Sequence, residues 1–250
     1  MFSLLLSCPP VAEDELVAEL YDAGTAGIVE EPGGLRAFFA DDTDAPALLA
    51  RFARFQPQLR HEEEIDWEQS ARDSWPPLPV GERFWLAPSW NTDPPPPGRI
   101  RLEFQPGMAC GTGWHPCTQL CLEALERTVR PGMTVLDVGS GSGILSNAAL
   151  LLGAARVIAC DIDVDAVLVA REHIAVPMFA GSVDAVRAGF ADVIVANISS
   201  AAAEELAPEF ARVARPGATV ILSGFEEDNL PEGPAPRELF CRNGWACFLR

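Results

Sequence analysis

Apolar and polar positions alternate in two regimes along the chain. Phe2–Leu6 reads as a short strand. Residues 13–23 carry Leu16, Val17 and Leu20 on one face and stop at Gly24, the pattern of an amphipathic helix with a glycine end. Gly27–Glu31 and Leu35–Ala40 read as strands joined by the turn residues Pro32, Gly33 and Gly34. A second helix is expected over Ala45–Phe55, with Leu48, Leu49 and Phe52 on one face, and a fourth strand over Gln58–Ile65. The order βαββαβ predicts a small ferredoxin-like α+β domain over residues 1–65.

The second regime centres on Val135–Leu145. Three apolar residues and Asp137 read as the end of a buried parallel strand. Gly139, Gly141 and Gly143 then make a tight turn, and Ile144–Leu152 continues as an apolar helix. A strand, a glycine turn and a helix start bring backbone amides close to a ligand. The dinucleotide fingerprint would need glycine at 144, where the chain has Ile144, so a nicotinamide oxidoreductase is disfavoured. Arg156–Asp161 reads as the next parallel strand, and its terminal acid lies about twenty residues past the glycines, where an acid reaches ribose hydroxyls. Capping the following helix is the other use open to Asp161. Asp192–Ala196 is a further apolar strand ending at Asn197, and residues 242–250 read as the last strand.

Between the two regimes, residues 66–100 interleave Trp67, Trp75, Phe84, Trp85 and Trp90 with prolines and end in Pro94–Pro97, the composition of a stiff connector. The second domain is expected over 101–250.

Charge narrows the partners. The 250 residues carry a formal net charge of −18, and every one of the 18 basic residues is an arginine. Residues 1–73 alone hold 16 Asp and Glu against 5 Arg, a local net of −11. Such a surface repels phosphate backbones, which disfavours direct nucleic-acid binding, and it attracts a basic partner unless it serves solubility alone. No apolar run approaches a membrane span, and MFSLLLSCPP lacks the basic start of a signal peptide. Seven cysteines without a CxxC pair, and histidines without partners, support neither a disulfide framework nor a metal site. A reduced, cytoplasmic protein is the expectation.

Residues 106–118 (PGMACGTGWHPCT) lead into a helix pattern over Gln119–Thr128. With the glycine turn, GAARVIACDID at 153–163, ADVIVANI at 191–198, LSG at 222–224 and the spaced aromatics of the connector, they resemble the PrmA family, which methylates ribosomal protein L11. The resemblance extends over the whole chain, because that family also begins with a ferredoxin-like domain. It implies a class I, Rossmann-like methyltransferase sheet of seven strands with a final antiparallel one. The cofactor it implies is S-adenosylmethionine, and the reaction is methyl transfer to amino groups of ribosomal protein L11, a lysine side chain or the N-terminal amine. Another protein lysine, a small amine, or a cofactor-binding scaffold without turnover are the alternatives.

The same resemblance gives roles to particular positions. Thr118 contacts the cofactor, Gly139 and Gly141 form the turn against it, Asp161 holds the ribose, and Asn197 closes the site where donor and amine meet. Asn197 is thus both a cofactor contact and the catalytic candidate. Methyl transfer from a sulfonium to an amine is an in-line displacement, in which alignment and water exclusion do much of the work. His115, between Trp114 and Pro116, is expected to be a structural hydrogen-bonding residue. The chain departs from the family pattern at Gln105, Cys110, Cys117 and Ser199–Ser200, in a short 164–190 region, and in the proline-rich stretch 225–237, where the family has a helix.

Overall fold

Thr134–Val138 is buried along its whole length, and a seven-stranded sheet forms around it. The computed structural model describes residues 1–9, 13–61, 74–105 and 113–250. Trp67, the end of the expected fourth strand at 62–65, and Gly111 and Thr112 of the GTG segment lie outside the described residues. The chain divides into two units, residues 1–71 and 72–250.

In the first unit, β1 (Phe2–Ser7), β2 (Gly27–Glu31), β3 (Gly34–Phe39) and β4 (Gln58–His61) form an antiparallel sheet in the order β2-β3-β1-β4. With α1 (Glu13–Asp22) and α2 (Ala45–Arg51) this is the ferredoxin-like arrangement. Leu4, Leu6, Leu16, Leu20, Phe39 and Phe52 fill its core, and the Phe2 and Phe39 rings stack at 5.7 Å. Asp44 caps α2 by accepting from the amide of Ala47 at 3.1 Å. The helix expected through Phe55 stops at Arg51 and continues only as a 3₁₀ turn over Ala53–Phe55. Gln56 stands in the left-handed region at φ 50°, and the following Pro57 opposes a helical residue before it.

The second unit holds β5 (Leu78–Val80), β6 (Phe84–Pro88), β7 (Ile100–Phe104), α3 (Pro116–Thr128), β8 (Thr134–Val138), α4 (Ile144–Leu151), β9 (Arg156–Asp161) and α5 (Val164–His173). It continues with β10 (Met178–Ala180), β11 (Ala191–Asn197), α6 (Ser200–Val213), β12 (Ala214–Glu226), β13 (Glu238–Arg242) and β14 (Trp245–Leu249). The sheet order is β10-β9-β8-β11-β12-β14-β13. Strands β8 to β12 run parallel, and β14 runs antiparallel to both β12 and β13. That is the class I methyltransferase sheet. One core face packs under α3 and α4 around Leu125, Ile144 and Ala148, and the other under α6 around Phe210, Phe225 and Phe248.

Two stretches differ from the sequence reading. Within the expected connector, β5 and β6 are strands of a separate three-stranded sheet with β7, and Phe84 and Leu86 are fully buried. Glu126 of α3 fastens them by accepting from the amides of Glu82, Arg83 and Phe84 at 2.9, 2.9 and 3.2 Å. Trp75 packs edge-on to Phe104 and Trp114 at 5.8 and 5.5 Å. At the carboxyl end, the last strand expected over 242–250 is present but begins at Trp245, and Arg242 belongs to β13, with which it forms a hairpin. Asn243 and Gly244, both at positive φ, make its two-residue turn. The shortness of 164–190 is visible as a three-residue β10 followed by a single 3₁₀ turn over Val183–Ala185. Among the described residues, no helix is long and apolar enough to cross a membrane.

Candidate functional site

The carboxyl ends of β8, β9 and β11 and the start of α3 enclose one cleft of about 360 Å³. Thr118, Gly139, Gly141, Asp161 and Asn197 all line it, so the five residues singled out in the sequence come together. A crevice at the carboxyl ends of parallel strands is where such sheets bind ligands.

The glycine turn is shaped by close approach. Gly139 stands at φ 71°, and a Cβ there would lie 2.6 Å from Cγ2 of Ile198. The amides of Gly139 and Ser140 donate to the carbonyl of Cys160 at 2.9 and 3.1 Å, which ties the turn to β9. Gly224, at φ 102°, lets β12 press against the residue after Asn197, where a Cβ would come within 2.4 Å of the Ile198 carbonyl oxygen. Both glycines are therefore needed for the backbone to close around the cleft.

Asp161 is held by two amides. Its Oδ2 accepts from Gly141 at 2.8 Å and its Oδ1 from Asp163 at 3.0 Å. Each carboxylate oxygen keeps a lone pair for a hydroxyl donor. The cap of α5 is Asp163, whose Oδ1 accepts from Asp165 at 2.9 Å and Ala166 at 3.4 Å, so the capping alternative for Asp161 does not hold. Exposed Ile162 follows directly and offers an apolar surface at the rim.

Across the cleft, the Nδ2 of Asn197 donates to Oγ1 of Thr118 at 3.2 Å. Thr118 is buried in the first turn of α3, which His115 caps by accepting from the Cys117 amide at 3.4 Å. The His115 ring meets Trp245 edge-on at 4.5 Å. His115 is thus a structural residue, as its sequence context suggested.

Below the turn, Asp137 is fully buried and its Oδ2 accepts from Ser146 Oγ at 2.6 Å. Burial first, and the nearby charge of Asp161 after it, push its carboxyl up to about 6, against the pull of the Ser146 bonds. The Cys160 thiol is pushed up to about 12 by burial and by Asp137, Asp161 and Asp184. Of the lining residues that the sequence did not single out for the site, three stand out. Ser140 is buried with an unpartnered Oγ, Ile162 is exposed, and Ser199 caps α6 by accepting from Ala202 at 3.3 Å. Only their places beside Gly139, Asp161 and Asn197 could have flagged them.

The lining fits a nucleoside ligand. An acid with free lone pairs suits a vicinal diol, an exposed apolar side chain suits a flat ring, and the orphan hydroxyl of Ser140 is left for a ligand atom. None of the described lining residues is basic. Among the described residues, no cluster of three metal-ligating side chains occurs.

Comparisons with known proteins agree with this chemistry. A family model described as "Ribosomal protein L11 methyltransferase (PrmA)" matches residues 8–232. A ribosomal protein L11 methyltransferase of Azotobacter vinelandii is 38% identical over 243 residues, covering 91% of this chain and 81% of that protein. Its counterpart in Burkholderia pseudomallei is 43% identical over 198 residues, covering 78% of this chain but only 64% of the relative's length. A ribosomal protein L11 methylase of Lactobacillus delbrueckii subsp. bulgaricus, solved by crystallography, superposes with a TM-score of 0.63 at 27% identity, over 69% of this chain and 95% of that one.

Proposed function

Because the chain belongs to the ribosomal protein L11 methyltransferase (PrmA) family, we propose that its cleft binds S-adenosylmethionine and directs methyl transfer to amino groups of ribosomal protein L11. The convergence of Thr118, Gly139, Gly141, Asp161 and Asn197 on one cleft carries this reading. S-adenosylmethionine supplies a methyl group activated by its sulfonium. Asp161 accepts from the ribose hydroxyls with the lone pairs left free by its two backbone bonds. Gly139 and Gly141 let the backbone lie against the methionine part of the donor.

Asn197 presents the amine. Its Nδ2 is engaged with Thr118, which leaves Oδ1 as the acceptor for amine hydrogens. A carboxamide orients the amine without a fixed negative charge that would hold it protonated. The free lysine amine has a pKa of about 10.4, so a neutral acceptor favours the form that attacks. Alignment of the nitrogen with the donor, and water exclusion by Ile198 and Leu145, supply the remainder.

The acidic excess of residues 1–73 suits the docking of a basic protein, and we assign the first unit that task. The reaction belongs in the cytoplasm, where its protein substrate is made. Isothermal titration with S-adenosylmethionine tests the cofactor assignment: saturable binding at one site supports it, and no binding removes it. A chain that binds the donor but labels no basic protein would be a scaffold. The short turn after β10 and the helix-free stretch 227–237 motivate that outcome.

A further inference from the structure

Between α4 and α5 lies a second cavity, of about 240 Å³, to which the transfer scheme gives no task. Its floor is apolar: Phe104 at the end of β7, Ile144 of α4, Val169 and Ala170 of α5, and Ile174. The glycine turn forms its back wall, since a Cβ on Gly143 would lie 2.8 Å from Cδ1 of Ile174 and 3.8 Å from Cβ of Ala170. Ile144 lines both this cavity and the cleft, and Ser142 lines the cavity from between Gly141 and Gly143, so the two spaces adjoin through the turn.

The rim of the cavity is negative. Glu103 of β7 and Glu172 of α5 both line it, and both are exposed. Arg101 comes no nearer to Glu103 than 3.6 Å, outside hydrogen-bond range, because its guanidinium serves Pro88, Asn91 and Asp93. Glu172 has no ion pair or hydrogen bond among the described residues. The negative end of α5 adds to them, since the helix stops at His173 and Arg171 of its last turn donates to the Met178 carbonyl. Of the described lining residues, only His173 can carry a positive charge. Two carboxylates over an apolar floor suit a cation on an apolar stem. The volume is below the roughly 300 Å³ at which pockets for whole small ligands begin, so the cavity takes one side chain.

We propose that this cavity is a second recognition site for the protein substrate, which seats a lysine or arginine side chain between α4 and α5 while another amine of the same polypeptide reaches Asn197. The stem of that side chain covers Val169, Ala170 and Ile174, and its charged head meets Glu103 and Glu172. No bond is made or broken there. The cavity selects amines that stand near a further basic residue, and so favours a basic protein over a free amine. This inference rests on the proposed substrate, and names part of how that substrate is recognised.

Two measurements on the full chain test it: methyl transfer to unmethylated ribosomal protein L11 at saturating S-adenosylmethionine, and binding of fluorescently labelled L11 without turnover. Glu103→Gln combined with Glu172→Gln removes both charges from exposed side chains. Val169→Phe and Asn147→Phe each fill the cavity and leave the charges in place. KM and Kd for L11 are expected to rise about tenfold in the charge variant and in the filling variants, with kcat and the affinity for S-adenosylmethionine unchanged. Unchanged L11 affinity in the charge variant overturns the proposal. So does a loss confined to the charge variant, which marks a diffuse attraction, and so does weakened donor binding, which gives the cavity to the cofactor. If both filling variants fail to fold, Glu172→Gln is compared with Glu205→Gln, an equal loss of exposed charge on α6, and an equal rise in the two overturns the proposal. A wild-type chain that neither binds nor methylates L11 removes the substrate assignment itself, and this inference with it, by a different result.

Discussion

The carboxamide of Asn197 and the hydroxyl of Thr118, 79 positions apart in sequence, meet at 3.2 Å across the mouth of the cleft. Asn197 ends a central strand and Thr118 starts a helix that packs on the same sheet, so the contact fixes the amide in one orientation. Thr118→Val keeps the shape and removes the acceptor. It should lower kcat by about tenfold, the worth of one neutral hydrogen bond, while Thr118→Ser retains most of the activity. Steady-state kinetics at saturating donor checks this, and an unchanged kcat in the valine variant would detach Thr118 from the amide.

Asp161 should matter for binding. Asp161→Ala removes the acceptor for the ribose and also the anchor of the Gly141 amide. Affinity for S-adenosylmethionine should fall more than about a hundredfold, since two hydrogen bonds to a charged acceptor are lost together. Calorimetry that finds the affinity unchanged would take Asp161 out of the site.

The stability of the free protein should carry the signature of Asp137. Its folded-state carboxyl is raised from the ordinary 3.8 to about 6. A raised group favours the folded state fully below the unfolded value and loses that advantage as pH rises through the folded one. Stability should therefore decline between about pH 4 and 6, by roughly 3 kcal/mol if nothing else titrates. Asp137→Asn should flatten this slope in urea titrations at several pH values. An identical slope in the variant would place the effect elsewhere.

Gly224 should tolerate no side chain. Gly224→Ala combines a positive φ with a Cβ placed 2.4 Å from a backbone oxygen. A loss of about 2 kcal/mol or more in urea unfolding is expected, with donor binding weakened because the Asn197–Ile198 turn must shift. Wild-type stability in that variant would contradict the crowding.

These tests also mark what the chain revealed before its structure. The β8-turn-α4 unit was legible because a fully buried parallel strand reads as an apolar run and the turn demands glycine. Asp161 and Asn197 were legible because they end such runs at the ligand edge. The strands β5 and β6 were hidden, since prolines and tryptophans read as a connector until Glu126 closes three of their amides from a distant helix. The last strand was legible at 245–249, and the Asn243–Gly244 pair is the local signal that sets its start three residues later than the apolar pattern alone implies. Helix α6 contains Pro208, which weakens its pattern although its packing through Phe210 and Val213 holds it. Ser140 could not be found from sequence, because an unpartnered hydroxyl is a property of the folded turn alone.

Intact-mass measurement of unmethylated ribosomal protein L11, incubated with this protein and S-adenosylmethionine, tests the central claim most directly. The account predicts added methyl masses with the wild-type chain and a large loss of them with Asn197→Ala. An unchanged mass, in a sample where donor binding has been measured, would contradict it.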